Sequence, residues 1–143
     1  MKILFVCSGN TGRSPMAEFV MKKLVGNDAN FVIESAASKP TDGGDLHVGI
    51  AAKLREENIP YTKHIARQIT AEDYQKFDKI ICMDAGNIEQ VKNICGGDDA
   101  GKVKLLLSYC GEEKDIPWDK NGFAKTYEDI LRGCQALLKS LKA

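Results

Sequence analysis

An apolar run, Ile3-Leu4-Phe5-Val6, stops at the octet Cys7-Ser8-Gly9-Asn10-Thr11-Gly12-Arg13-Ser14, and a helix-like segment opens at Pro15. No other stretch constrains the chain so tightly. Strand, tight polar loop and helix start follow in immediate succession, with a thiol at one end of the loop and a guanidinium at the other. Five residues separate Cys7 from Arg13. Gly9 and Gly12 open backbone conformations closed to other residues, so successive N–H groups can turn inward as an anion nest. The first turn of the following helix adds unpaired N–H groups and the positive end of its dipole. Arg13 supplies a planar fork matched to two phosphate oxygens. Positive potential of this kind favours a thiolate, and the thiolate is the nucleophile. Ser8, Gly9, Asn10, Thr11, Gly12, Arg13 and Ser14 therefore read as a phosphate cradle with Cys7 at its base.

Two better-known phosphate loops are excluded. There is no Gly-Lys-Ser/Thr, so the loop is not a Walker loop, and Gly-x-Gly-x-x-Gly is absent, so it is not a dinucleotide fingerprint. Cys7 to Pro15, followed by Met16-Ala17-Glu18, instead resembles the signature of the low-molecular-weight protein tyrosine phosphatases, including its place at the extreme N-terminus. The likeness continues along nearly the whole chain. Glu34-Ser35-Ala36 is similar to the family's Ser-Ala-Gly segment, His64-Ile65-Ala66-Arg67-Gln68 to its His-x-Ala-Arg stretch, and Met83-Asp84 with Asn87 to its Met-Asp-x-x-Asn.

The remaining pattern fits a small α/β enzyme. At 143 residues, one domain spanning 1–143 is expected. Twenty basic and 20 acidic side chains cancel, with no basic tract, which argues against nucleic-acid and membrane-surface partners. The apolar start is too short for a signal peptide or lipoprotein box, so the cytoplasm is the default. Five cysteines (7, 82, 95, 110 and 134) are an odd number without Cys-x-x-Cys, against a disulfide framework and a zinc site. No metal and no cofactor are expected.

Short apolar strands are expected at Ile3–Val6, Phe31–Ile33 (ending at Ser35), Lys79–Met83 and Lys102–Leu107. Helices are expected over roughly 15–25 and 46–57, after a Thr70/Asp73 capping box, and through Ile88, Val91 and Cys95. The last helix has the clearest period, with Tyr127, Ile130, Leu131, Cys134, Leu137, Leu138 and Leu141 on one stripe. Such alternation implies a parallel sheet covered on both faces, with ligands beyond the carboxyl ends of its strands. The resemblance implies the family's version: a three-layer fold of four parallel strands flanked by helices, with the phosphate loop after the first.

The resemblance also assigns roles. Cys7 attacks phosphorus, Arg13 binds the oxygens, and Ser14 bonds the thiolate. Asn10, Ser35 and His64 hold the loop in shape. The general acid belongs in Asp115-Ile116-Pro117-Trp118-Asp119-Lys120, with Asp119 the closest match to the family's Asp-Pro pair and Asp115 the second choice, since Lys120 stands where Pro is usual. Trp118 beside it is a candidate substrate wall, and His47 has no assigned role. Two departures bear on function. Gly12 occupies the place of a second loop cysteine that could form a protective disulfide with Cys7. Thr11 replaces the aliphatic residue of phosphotyrosine enzymes, and related bacterial phosphatases acting on phosphoarginine also have Thr there. The expected activity is hydrolysis of phosphotyrosine on a protein through a cysteinyl-phosphate, releasing inorganic phosphate, with phosphoarginine as the alternative substrate. Thiol-dependent arsenate reduction is a lesser alternative, because Cys82 lies near a family-like position while Glu89 stands where a partner thiol belongs and Cys95 lies beyond. A dead phosphate-binding module is the reading of a different class.

Overall fold

The computed structural model describes residues 1–142. Its elements run β1 (Lys2–Cys7), α1 (Arg13–Val25), β2 (Val32–Ala37), α2 (Val48–Glu56), α3 (Ala71–Lys76), β3 (Lys79–Cys82), α4 (Ala85–Cys95), β4 (Val103–Leu105), a 3₁₀ helix (Leu106–Cys110) and α5 (Ala124–Lys142). The four strands form one parallel sheet in the order β2-β1-β3-β4. The chain leaves β1 to one side for β2 and later returns to the other side for β3. The carboxyl end of β1 is therefore the topological switch point, where helices on opposite faces diverge and a crevice opens.

Period-two alternation in β1 builds two cores. Ile3, Phe5 and Cys7 face α1, α2 and α5, packing with Met16, Val20, Leu54, Ile130 and Leu137. Leu4 and Val6 face α3 and α4, packing with Tyr74, Phe77, Val91 and Cys82. Both faces of the strand are dry, which is why it reads as an unbroken apolar run. The stripe on α5 holds as expected, with Ile130, Cys134 and Leu137 fully buried.

Element bounds differ from the sequence reading in instructive ways. The fourth strand ends at Leu105, and Leu106 and Leu107 turn into the 3₁₀ helix. Ser108 Oγ donates to the Leu105 carbonyl at 2.6 Å, and α5 approaches so closely that a β-carbon on Gly133 would lie 2.5 Å from Leu106 Cγ. Apolarity there serves a helix contact, not more strand. The second strand starts one residue later than expected and runs on to Ala37, because Ala36 and Ala37 pair with Val6 and Cys7. Helix α2 starts only at Val48, because His47 is its cap: Nδ1 accepts the Gly49 N–H at 3.0 Å. The Thr70/Asp73 capping box of α3 is present.

Candidate active site

Residues 8–12 join β1 to α1 at the switch point, and the loop is fastened from beneath by Asn10. This residue is fully buried and adopts a left-handed backbone, φ 57°, a conformation a non-glycine residue keeps only when its surroundings over-determine it. Every polar atom of its side chain is used. Nδ2 donates to Ser14 Oγ and Ser35 Oγ, each at 2.9 Å, and Oδ1 accepts the Arg67 N–H at 3.2 Å. Its carbonyl accepts from His64 Nε2 at 2.6 Å.

The same bonds set the direction of the contact with the thiol. Ser14 Oγ lies 2.9 Å from Cys7 Sγ. Because that hydroxyl already accepts from Asn10, its own proton is left for sulfur. The Asn10 N–H adds a second donor at 3.3 Å. Behind Ser35, its hydroxyl donates to Glu18 Oε1 at 2.6 Å, and Glu18 Oε2 pairs with Lys22 at 2.6 Å. Two donors, the Ser14 hydroxyl and the Asn10 N–H, thus meet on sulfur.

Arg13, the first residue of α1, points its Nη1 at Asp84 Oδ2 and the Ile116 carbonyl, both at 3.0 Å. Asp84 caps α4, accepting the Asn87 N–H at 2.8 Å, while Asn87 Oδ1 accepts the Asp84 N–H at 3.1 Å. Asn87 Nδ2 reaches Ser8 Oγ and Ser38 Oγ at 3.2 and 3.3 Å. The start of α4 is thereby tied to the loop that leaves β1.

Above the loop lies a pocket of about 210 Å³ bounded by Cys7, Gly9, Thr11, Gly12, Arg13 and Trp118. The Trp118 ring covers Gly12 so closely that a β-carbon there would sit 2.3 Å from its Cζ3. His47 meets the indole edge-on at 5.3 Å between centroids, and Phe123 packs on it at 4.7 Å. Trp118 is thus a wall of the pocket, and His47, which had no assigned role, braces that wall. Neither Gly9 nor Gly12 has a positive φ, contrary to expectation, and the left-handed residue of the loop is Asn10; the reason for glycine at 12 is space, since any side chain would displace the tryptophan.

The two loop carboxylates stand differently from the cradle. Neither Asp119 nor Asp115 lines the pocket. Asp119 accepts the Asn121 and Lys125 N–H groups at 3.0 and 3.2 Å and so caps the entry to α5. Asp115 accepts the Ala85 N–H at 2.9 Å, at the start of α4. Among the described residues no cluster of three or more His, Cys, Asp or Glu side chains could hold a metal ion.

Three residues of the site had no role in the sequence reading: Asp84 on Arg13, Glu18 behind Ser35, and His47. The Asp84-x-x-Asn87 spacing is a readable capping box, but its hold on Arg13 is a contact across 71 residues. Glu18 on α1 entered only as part of the motif after Pro15, because its partner Ser35 lies on β2.

Comparison with known proteins agrees with this geometry. The family model described as low molecular weight phosphotyrosine protein phosphatase matches residues 2–143. The chain belongs to that family. It is 34% identical to the low molecular weight protein-tyrosine-phosphatase YfkJ of Bacillus subtilis, over 99% of this chain and 96% of the relative. The crystal structure of a low molecular weight protein tyrosine phosphatase from Streptococcus pyogenes superposes with TM-score 0.88 at 37% identity, covering 99% of this chain and 93% of that one. A Drosophila arginine phosphatase superposes with TM-score 0.89 at 31% identity, over 100% and 99% of the two chains. The four-stranded parallel sheet is therefore the family's, and no described helix is long and apolar enough to cross a membrane.

Proposed function

We propose that this family member hydrolyses phosphotyrosine on proteins through a cysteinyl-phosphate on Cys7. The observation that carries the reading is Cys7 Sγ, held by the Ser14 hydroxyl and the Asn10 N–H at the floor of a pocket that Arg13 also lines. The thiolate attacks phosphorus, an S–P bond forms, and the bond from phosphorus to the leaving oxygen breaks. The loop N–H groups and Arg13 take the charge on the remaining oxygens. Asp119 gives its proton to the departing oxygen and then receives one from the water that cleaves the S–P bond, releasing phosphate. Its place directly after the pocket wall Trp118 supports this role. To perform it, the carboxyl must let go of the Asn121 and Lys125 N–H groups, so the loop moves when substrate binds. A reaction that needs a free thiol suits the cytoplasm, where thiols stay reduced.

A second substrate, phosphoarginine, is favoured by Thr11, which lines the pocket, and by the likeness to the Drosophila arginine phosphatase. The reductase alternative loses ground. Cys7 and Cys82 belong to cores on opposite faces of the sheet, and burial pushes the Cys82 thiol up, away from nucleophilic form.

Hydrolysis of para-nitrophenyl phosphate, abolished in Cys7→Ser, tests the activity. Kinetics on paired phosphotyrosine and phosphoarginine peptides then test the substrate. Thr11→Ile is expected to raise kcat/KM for the first and lower it for the second, changing their ratio about tenfold, or about 1.4 kcal/mol. Equal effects on both would reduce Thr11 to a loop spacer.

A further inference from the structure

The pocket wall stands on an exposed loop, and one buried side chain holds that loop from below. Ile116 and Phe123 are buried at its two ends, while Pro117, Trp118 and residues 120–122 between them are exposed. A bulky ring on such a segment keeps one position only if its own backbone is fixed. Thr126, in the first turn of α5, supplies the fixing. It is fully buried, and its hydroxyl donates to the Pro117 carbonyl at 2.6 Å. The one proton is then spent, and the same oxygen accepts the Asp119 N–H at 3.0 Å.

The Pro117 carbonyl and the Asp119 N–H belong to the two peptide units that flank the Trp118 α-carbon. A single oxygen atom therefore clamps the backbone on both sides of the tryptophan. His47 and Phe123 brace the indole itself, but they touch only the ring. Thr126 does not line the pocket, so its hydroxyl acts on the reaction through the wall and not through substrate.

We propose that Thr126 is a positioning residue for the reaction at Cys7: its hydroxyl holds Trp118 over Gly12 and so sets the wall against which the leaving group lies. This rests on the phosphatase reading above. Packing alone gives no reason for a hydroxyl here, since valine would fill similar space; both hydrogen-bonding functions of the group are spent on the loop. The clamp also separates two tasks of the segment. The Asp119 carboxyl can leave the Asn121 and Lys125 N–H groups while the Asp119 N–H stays pinned, so the wall remains in place as the acid is freed. A wall set before substrate arrives reduces the ordering that binding must impose.

Thr126→Val tests this, with para-nitrophenyl phosphate as substrate. The chain has one tryptophan, so fluorescence reports on Trp118 alone. The variant is expected to shift that fluorescence and to raise KM about tenfold, the scale of a lost aromatic contact. Inhibition by inorganic phosphate, which needs only the cradle, should stay within about twofold, and Thr126→Ser should restore KM. In a Trp118→Ala background the same substitution should change KM less than about twofold, because the wall it positions is already gone. In the native chain the Asp119 N–H should exchange with solvent at least about tenfold more slowly than the exposed Lys120 N–H, a measurement that needs no variant to fold. Unshifted fluorescence, a KM effect that persists without Trp118, a parallel loss of phosphate inhibition, or fast exchange at Asp119 would each overturn the clamp while leaving the phosphatase intact. No hydrolysis of para-nitrophenyl phosphate by the native chain would overturn the positioning role together with the phosphatase reading.

Discussion

The cradle and the 115–123 loop face the same pocket but are built on opposite principles. Beneath the cradle, Asn10, Ser14 and Ser35 are buried and mutually bonded, and each polar group has its partner before any substrate arrives. The carboxylates of the loop spend their hydrogen bonds on helix starts, with Asp119 at α5 and Asp115 at α4. The Cys7 thiol is therefore preorganised, while Asp119, the proposed acid, sits in local structural bonds that it must leave to act. Preorganisation cuts the reorganisation needed in the transition state, whereas a released acid couples proton delivery to loop motion.

The contrast breaks most visibly at the sulfur. Cys7→Ser should lower kcat by about 10⁴-fold or more while the fold survives, since serine preserves the shape of the buried position. Circular dichroism alongside the assay checks both halves. At the loop, Asp119→Asn should cost roughly 10²–10⁴-fold in kcat and flatten one limb of the pH profile, with a smaller loss for leaving groups that need no proton. Asp115→Asn should leave kcat within about threefold and act instead on stability, as the loss of a helix-start contact does. Exchanged outcomes would move the acid to Asp115.

Gly12 lies where the two regions touch. Gly12→Cys places a β-carbon 2.3 Å from Trp118, so the indole must leave the pocket wall. The expected result is altered tryptophan fluorescence and a KM raised about tenfold on aromatic substrates, the scale of a lost aromatic contact. Unchanged fluorescence and KM would show that the wall is mobile. A second loop thiol, which would otherwise shield Cys7 from over-oxidation, is thus bought here only with the wall.

The smallest effect concerns the outer fastening of the cradle. Burial by itself would raise the Asp73 carboxyl, but the Arg67 guanidinium and the Thr70 N–H outweigh it and hold the group below its ordinary value of 3.8. A carboxyl lowered in the folded state contributes stability above the ordinary carboxylate range and loses it as pH falls through that range. Melting temperature should therefore drop between about pH 5 and pH 3, and Asp73→Asn should lower it at neutral pH and flatten that dependence. Because the Arg67 N–H also holds Asn10 Oδ1, the variant should lower kcat by less than about threefold. A flat melting profile in the native chain would remove Asp73 from the fastening.

How legible each part was follows from the range of its interactions. The octet from Cys7 to Ser14, the α5 stripe and the Thr70/Asp73 cap are set within a few residues, where spacing and residue type dictate conformation. The ends of β2 and β4 were misjudged because pairing with Val6 and Cys7, and the close approach of Gly133 to Leu106, settle them from far along the chain. Asp84 reached Arg13, and Glu18 reached Ser35, with nothing in their own neighbourhoods to announce it.

By itself, then, the sequence determined a thiol, a short polar loop and a guanidinium at the end of a buried strand, since a short loop between strand and helix leaves its backbone few alternatives. Only the tertiary structure decided which proton faces the sulfur, which ring covers Gly12, and that the loop carboxylates are engaged as caps. Those outcomes depend on side chains from β2, α2, α4 and the 115–123 loop meeting at one crevice, and packing between distant segments fixes them.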